Sequence, residues 1–137
     1  MKTEPLVIER TLNAPVTKVW KALTDLEQLG QWFSKLDDFK PEVGFEFVIP
    51  DSYPSTCKVT EAIPDKKLSY MLCFDEYPAI TIVTFELFDE GRKTNLRLTH
   101  EGLEKIPAVG NQDFERIKFL EGWGGVLAAL QLFLENA

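Results

Sequence analysis

The chain has 137 residues, of which 45% are hydrophobic and 27% are charged, so it can enclose one hydrophobic core in a single globular domain. Its net charge of −7 disfavours binding to nucleic acid and insertion into anionic membrane surfaces. The sequence contains no apolar run as long as a membrane span and no apolar stretch typical of a signal peptide. A cytoplasmic protein, with Cys57 and Cys73 as reduced thiols, is therefore expected.

The N-terminal region reads as one strand followed by two short helices. Apolar and polar side chains alternate over Leu6–Leu12, which predicts a half-buried strand. Arg10 falls on its apolar side and is expected to pair with a carboxylate of a neighbouring strand. Pro15 is placed to begin the first helix. Asp25, with Gln28 three residues later, is typical of the start of a second helix.

Residues 45–101 alternate with a period of two. The alternation predicts five strands, near residues 45–49, 57–61, 68–74, 83–87 and 96–100, joined by short turns. Such a series favours an antiparallel meander, which the first strand extends to six strands. One face of this curved sheet carries nearly all the large apolar side chains and needs a cover.

The cover is predicted to be a long C-terminal helix, capped by Asn111 or Asp113. On a helical wheel one broad apolar arc contains Phe119, Leu120, Trp123, Val126, Leu127, Leu130, Phe133 and Leu134. An arc of this width suits a deep groove in the sheet. The sequence therefore predicts an α+β fold in which a curved antiparallel sheet grips a long helix.

Three glycines interrupt that helix at Gly122, Gly124 and Gly125, each at a cost of about 1 kcal/mol relative to Ala. A kink, a close approach of another backbone and extra room for a cavity are all compatible with this cluster. Clearance for the Trp123 indole is the favoured interpretation, because two of these glycines flank it.

Several segments in this order resemble a known family. They are Ile-Glu-Arg-Thr-Leu-Asn-Ala-Pro (8–15), Val-Trp (19–20), Trp-Phe (32–33), Leu-Thr-His-Glu-Gly (98–102) and Gly-Trp (122–123), followed by Leu127 and Leu130. Together they resemble the START-like (SRPBCC) superfamily over nearly the whole chain, and within it the branch named for the activator of the heat-shock chaperone ATPase. The resemblance implies the helix-grip fold.

The resemblance also implies a cavity between sheet and helix, because members of the superfamily bind lipids, sterols, polyketides or other apolar molecules. The side chains expected to line it are Trp32, Phe33, Phe45, Phe47, Tyr70, Leu72, Phe74, Val83, Phe85, Leu98, His100, Arg116, Phe119 and Trp123. Some members of the superfamily are cyclases or hydrolases, and the name of the branch implies a co-chaperone.

Two polar residues fall on the apolar side of this arrangement. His100 is either a polar anchor or proton donor at the cavity mouth, or a histidine at the edge of the core bonded to a backbone carbonyl. Arg116 either meets Glu61, Glu101 or Asp38, or awaits a ligand carboxylate, or is solvated.

No hydrolase elbow, zinc motif or phosphate loop is present, and one histidine excludes a multi-histidine metal site. The hypothesis from sequence is therefore a non-catalytic protein, without cofactor or metal, that binds a small apolar molecule. One alternative is a protein-interaction module, as a homodimer or on a chaperone, using outer-face residues such as Val48, Met71 and Ile82. Another is a cyclase-type enzyme using Tyr70, His100 and Glu61.

Overall fold

The computed structural model describes residues 5–50, 54–75, 79–103 and 116–136. In chain order the elements are β1 (Leu6–Leu12), α1 (Val16–Thr24), α2 (Leu26–Trp32), β2 (Glu46–Ile49), β3 (Ser55–Ile63), β4 (Lys67–Phe74), β5 (Ile80–Glu90), β6 (Lys93–Glu101) and α3 (Arg116–Glu135). This order confirms the predicted α+β helix-grip fold. The predicted caps of α3, Asn111 and Asp113, lie outside the described residues.

The six strands form one antiparallel sheet in the order β1-β6-β5-β4-β3-β2. The tight turn between β5 and β6 places Gly91 at a φ of 81°, which a glycine adopts without steric cost. Most strands run further than the alternation predicted, and β3 begins at Ser55, in a segment predicted to be loop. The inner face of this sheet receives α3.

The two short helices begin where the sequence placed them. Pro15 has an extended backbone and precedes the first residue of α1. The Asp25 carboxylate accepts a hydrogen bond from the Gln28 backbone N–H at 3.1 Å, which caps α2 as predicted. The Trp32 indole at the end of α2 donates to the Ala22 carbonyl at 2.8 Å and so ties the two helices together.

The buried stripe of α3 consists of Trp123, Leu127, Leu130 and Leu134, spaced four, three and four residues apart. Leu120 was expected in this stripe but is 43% exposed, so the apolar arc is narrower than predicted. None of the helices in the described ranges is long and apolar enough to span a bilayer.

Two expectations about β1 and the cysteines are settled by strand position. Arg10 is exposed, and its guanidinium donates to the Glu9 carbonyl at 3.1 Å, so the expected pairing with a strand carboxylate is wrong. The centre of this edge strand is exposed on both faces, which removes the need for a charged partner. Cys57 lies opposite Leu72 in the register, so Cys73 faces the other side of the sheet and both thiols are free.

Candidate functional site

A cavity of about 230 Å³ lies between the sheet and the first half of α3; we call it the α3 cavity. The side chains and backbone that line it belong to Phe33, Ile49, Ser55, Leu72, Phe74, His100, Lys118, Phe119, Gly122, Trp123 and Val126. Its wall is mainly apolar, and two of its rings, Phe74 and Phe119, pack against each other with centroids 5.8 Å apart. This composition is typical of a site for an apolar molecule.

A second space, the α2 void, holds only about 20 Å³, which is at most one water molecule. It is lined by Leu23, Leu29, Trp32, Phe33, Leu36, Phe39, Phe47, Leu68, Tyr70 and Phe85. Phe39 and Phe47 pack edge to face with centroids 5.0 Å apart, and Phe47 meets Tyr70 in the same way at 5.2 Å. Aromatic rings therefore fill this part of the interior.

The residues predicted to line one pocket are divided between these two spaces. Around the α3 cavity the structure brings together Phe33, Leu72, Phe74, His100, Phe119 and Trp123. Trp32, Phe47, Tyr70 and Phe85 lie around the α2 void, whereas Phe45, Val83 and Leu98 line neither space and pack in or against the core. Arg116 begins α3, but its side chain lies outside the described residues.

His100 is held by hydrogen bonds on both ring nitrogens. The Trp123 indole N–H donates to His100 Nδ1 at 3.0 Å, so this nitrogen carries no proton and the proton sits on Nε2. Nε2 donates to the Thr81 hydroxyl at 2.8 Å, and that hydroxyl donates to the Leu72 carbonyl at 2.8 Å. This chain, the Trp123 relay, connects α3 to three strands of the sheet.

The relay changes the interpretation of His100. The side chain is 1% exposed, and burial lowers its pKa to about 4, so the ring is neutral near pH 7. Neither ring nitrogen is left for a ligand or for proton transfer, which contradicts the anchor and proton-donor interpretations. The partner is also not a backbone carbonyl, as the alternative supposed, but the Thr81 hydroxyl.

The proposed catalytic set of Tyr70, His100 and Glu61 is not assembled. Glu61 is half-exposed and its carboxylate lies 3.1 Å from Lys67 Nζ, opposite Ser69 in the register. Tyr70 lies on the inner face, where burial raises the pKa of its phenol well above its usual value. In the described part of the chain no group of three or more His, Cys, Asp or Glu side chains is placed to hold a metal ion.

Five lining residues were missed from the sequence: Ile49, Ser55, Lys118, Gly122 and Val126. Three of them, Lys118, Gly122 and Val126, repeat every four residues beside the buried stripe of α3, and this spacing is visible in the sequence. Ser55 was missed because its segment was predicted to be loop.

The glycine cluster of α3 has open space beside it. A Cβ atom added at Gly122, Gly124 or Gly125 would meet nothing within 4 Å outside the helix itself. The structure therefore contradicts the close-approach interpretation and agrees with extra room at Gly122, whereas clearance for the Trp123 indole stays a prediction. Gly122 is exposed as well as lining the cavity, so it stands at the cavity mouth.

Comparison with known proteins agrees with this fold and also identifies a family. The chain superposes on the protein MLL2253 from Mesorhizobium loti with a TM-score of 0.81 and 28% identity, over 98% of both chains. For the Bacillus halodurans protein BH1534 the TM-score is 0.74 and the identity 30%, over 96% of this chain and 97% of that one.

The Aha1 dimer from Colwellia psychrerythraea has a TM-score of 0.79 at 20% identity, over 97% of both chains. No curated protein matches the sequence. Residues 13–135, most of the chain, match the family described as "Activator of Hsp90 ATPase homolog 1-like protein". The chain therefore belongs to this family, within the START-like superfamily that the sequence resembles.

Proposed function

We propose that this protein binds a small apolar molecule in the α3 cavity without catalysing a reaction on it. The observation that carries the proposal is a space of about 230 Å³ with walls formed by residues such as Phe74, Phe119 and Trp123. An apolar ligand that fills this space would remove its own surface and that of the walls from water, which is favourable.

The volume limits the size of the ligand. An apolar protein cavity of about 150 Å³ binds benzene, whereas clefts for drug-sized molecules span roughly 300–1,000 Å³. The α3 cavity, at about 230 Å³, lies between these values and suits one aromatic ring with a short side chain or a short acyl chain. Sterols and long-chain lipids, which the family resemblance suggested, exceed this space.

We propose binding without catalysis because the candidate acid–base groups are not available to a ligand in the cavity. His100 offers no free nitrogen, since the Trp123 relay uses both. Tyr70 faces the α2 void and not the α3 cavity. Glu61 does not line the α3 cavity and pairs with Lys67. None of the three groups that the sequence offered for acid–base chemistry is therefore placed to act on a molecule in this space.

A substitution at the cavity mouth provides the test. Gly122→Leu should fill the mouth and weaken binding at least tenfold, while replacing glycine in a helix stabilises the fold by up to about 1 kcal/mol. Gly125→Leu is the matched control, because Gly125 is exposed, has equal free space and does not line the cavity.

Binding would be measured by calorimetry with a panel of single-ring and short-chain compounds, and by NMR of the Trp123 indole N–H. The proposal expects a saturable shift of that signal in the wild type and in Gly125→Leu, and its loss in Gly122→Leu. If no compound of the panel shifts the signal, or if Gly122→Leu binds as well as the wild type, the proposal is wrong.

We also propose, as a second candidate, that the outer face of the sheet contacts a second copy of the chain. Met71 lies opposite Ile82 in the register and Cys73 lies opposite Ile80, so these apolar side chains adjoin on the outer face. Ile80 is 50% exposed. A structural relative described as an Aha1 dimer supports this candidate.

Sedimentation of the wild type and of Ile80→Lys tests the second candidate. A wild type that associates between micromolar and millimolar concentration, with Ile80→Lys remaining monomeric, supports it. A wild type that stays monomeric over this range, or equal association of both proteins, contradicts it.

A further inference from the structure

We infer that the ligand of the α3 cavity is a small monocarboxylate, whose apolar body lies among the aromatic rings and whose acid group meets Lys118 at the mouth. This inference rests on the proposed function and names the chemical class of its ligand. A single aromatic ring carrying a short acid side chain has the size that the cavity volume admits.

Lys118 is the cation of this site. Among the described residues that line the cavity, it carries the only charged side chain, and that side chain is 46% exposed. It lies one helical turn before Gly122, which is also exposed, so the ammonium group and the gap left by the glycine share the mouth. A ligand that enters here passes the ammonium group.

The lysine is available for a new partner. Glu121 Oε2 is 3.8 Å from Lys118 Nζ, which is longer than a charge-assisted hydrogen bond, and both side chains are largely exposed. Exposed pairs of this kind contribute little, because water screens them and ordering two long side chains costs entropy. A ligand carboxylate that is held by its own apolar body can therefore replace Glu121.

The rest of the cavity wall decides the orientation of the ligand. The buried polar side chains of the wall are His100 and Ser55. His100 has both nitrogens bonded within the protein, so it offers nothing to a polar end, and the Ser55 hydroxyl carries no charge that would compensate a buried carboxylate. An ionised group would lose its hydration if it were placed among Phe74, Phe119 and Trp123. The polar end therefore points outward to the mouth, where Lys118 attracts an anion and repels a cation.

The test compares two probes of equal size, 3-phenylpropanoate and its neutral amide, by calorimetry at pH 7 and low salt. The carboxylate should bind about fivefold more tightly than the amide, as an exposed ion pair allows. Lys118→Met should remove this difference, because only the carboxylate interacts with the charge of the ammonium group. Glu121→Gln should strengthen carboxylate binding, because it frees the ammonium group.

Lys93→Met is the matched control, since Lys93 is exposed at the start of β6 and does not line the cavity. It removes the same charge from the protein and should leave the preference for the carboxylate intact. Equal loss of the preference in both variants would assign it to net charge and overturn the inference.

Other outcomes separate this inference from the proposed function. If both probes bind equally and Lys118→Met changes neither affinity, the ligand class is wrong while the proposed function stands. If Lys118→Met weakens both probes alike, the lysine acts through its apolar stem and the inference is also wrong. If neither probe binds but neutral compounds of the panel do, the ligand is not a carboxylate. If no compound binds at all, both the inference about the ligand class and the proposed function are wrong.

Discussion

The two spaces beneath the helices differ more than tenfold in volume, about 20 Å³ at the α2 void and about 230 Å³ at the α3 cavity. Both lie on the inner face of the same sheet and both are walled by aromatic rings. The difference comes from what lies above the strands. Phe39 and α2 cover the first space, whereas Lys118 and Gly122 stand above the second and leave it unfilled.

Trp123 stands at the boundary between the two spaces. Its ring meets Phe85, which lines the α2 void, edge to face at 6.0 Å. The same ring lines the α3 cavity, and its N–H begins the relay through His100. The relay therefore fixes the helix against the sheet at the inner wall of the cavity, so that the space beside it can stay open without collapse of the helix.

The largest expected effect tests whether the rings around the α2 void are tightly packed. Phe39 is 6% exposed, and Phe39→Ala should lower the free energy of unfolding by about 4 kcal/mol, the usual cost of removing a buried ring and leaving a cavity. Phe119→Ala, at the edge of the existing cavity, should cost about half as much, because Phe119 is only partly buried.

Urea denaturation of both variants gives the comparison. Equal losses would mean that the rings on the two sides are packed alike, and the contrast between the filled and open spaces would be wrong. The wild-type m-value should be retained by both variants, which checks that each free energy refers to the same unfolding transition.

The second prediction concerns the neutral imidazole ring of His100, which accepts a hydrogen bond from Trp123. Because the folded-state pKa of His100 is lowered from 6.5 to about 4, the unfolded chain binds a proton between these values that the folded chain does not. The contribution of His100 to the free energy of unfolding is complete above pH 6.5. It falls with acidification, by about 3 kcal/mol at pH 4.

Carboxylates titrate in the same range, so the measurement is a difference. His100→Gln can keep hydrogen bonds to Trp123 and Thr81 but does not titrate there. Between pH 7 and pH 4 the wild type should therefore lose about 3 kcal/mol more than the variant. Parallel losses would show that His100 binds its proton over the same pH range in the folded and unfolded chains, which would contradict the lowered pKa.

The third prediction removes the middle of the relay. Thr81→Val keeps the volume of this fully buried side chain but leaves His100 Nε2–H without its acceptor. The expected loss is about 2 kcal/mol, the desolvation cost of an unpaired buried donor. Thr99→Val, in β6, is the control, and a loss as large as that of Thr81→Val would show that the hydroxyl of Thr81 has no special role.

The fold was predictable because its signals are periodic. Alternation in the strands, the Asp25 cap of α2 and the apolar stripe from Trp123 to Leu134 each identify an element on their own. Strand ends were predicted less well, since β5 extends to Glu90 through residues that face solvent and need no apolar side chain.

The site was predictable only in part. Alternation shows that Tyr70 and Phe74 share a face, but it does not show what covers each ring. Phe39 lies outside the regular elements, so no period placed it against Phe47 and the sequence analysis missed it. His100 was correctly placed inward, but its role depends on Thr81 and Trp123, which are far from it in sequence.

The smallest expected effect tests whether the mouth of the α3 cavity is free of other protein atoms. Gly122→Ala and Gly125→Ala each replace a helical glycine with the best helix former, and each should raise the free energy of unfolding by up to about 1 kcal/mol. The two gains should be equal, because an added Cβ meets no neighbour within 4 Å at either position. Urea denaturation measures both. A gain at Gly125 with a loss at Gly122 would mean that the mouth is occupied in the folded protein, and the contrast with the α2 void would disappear.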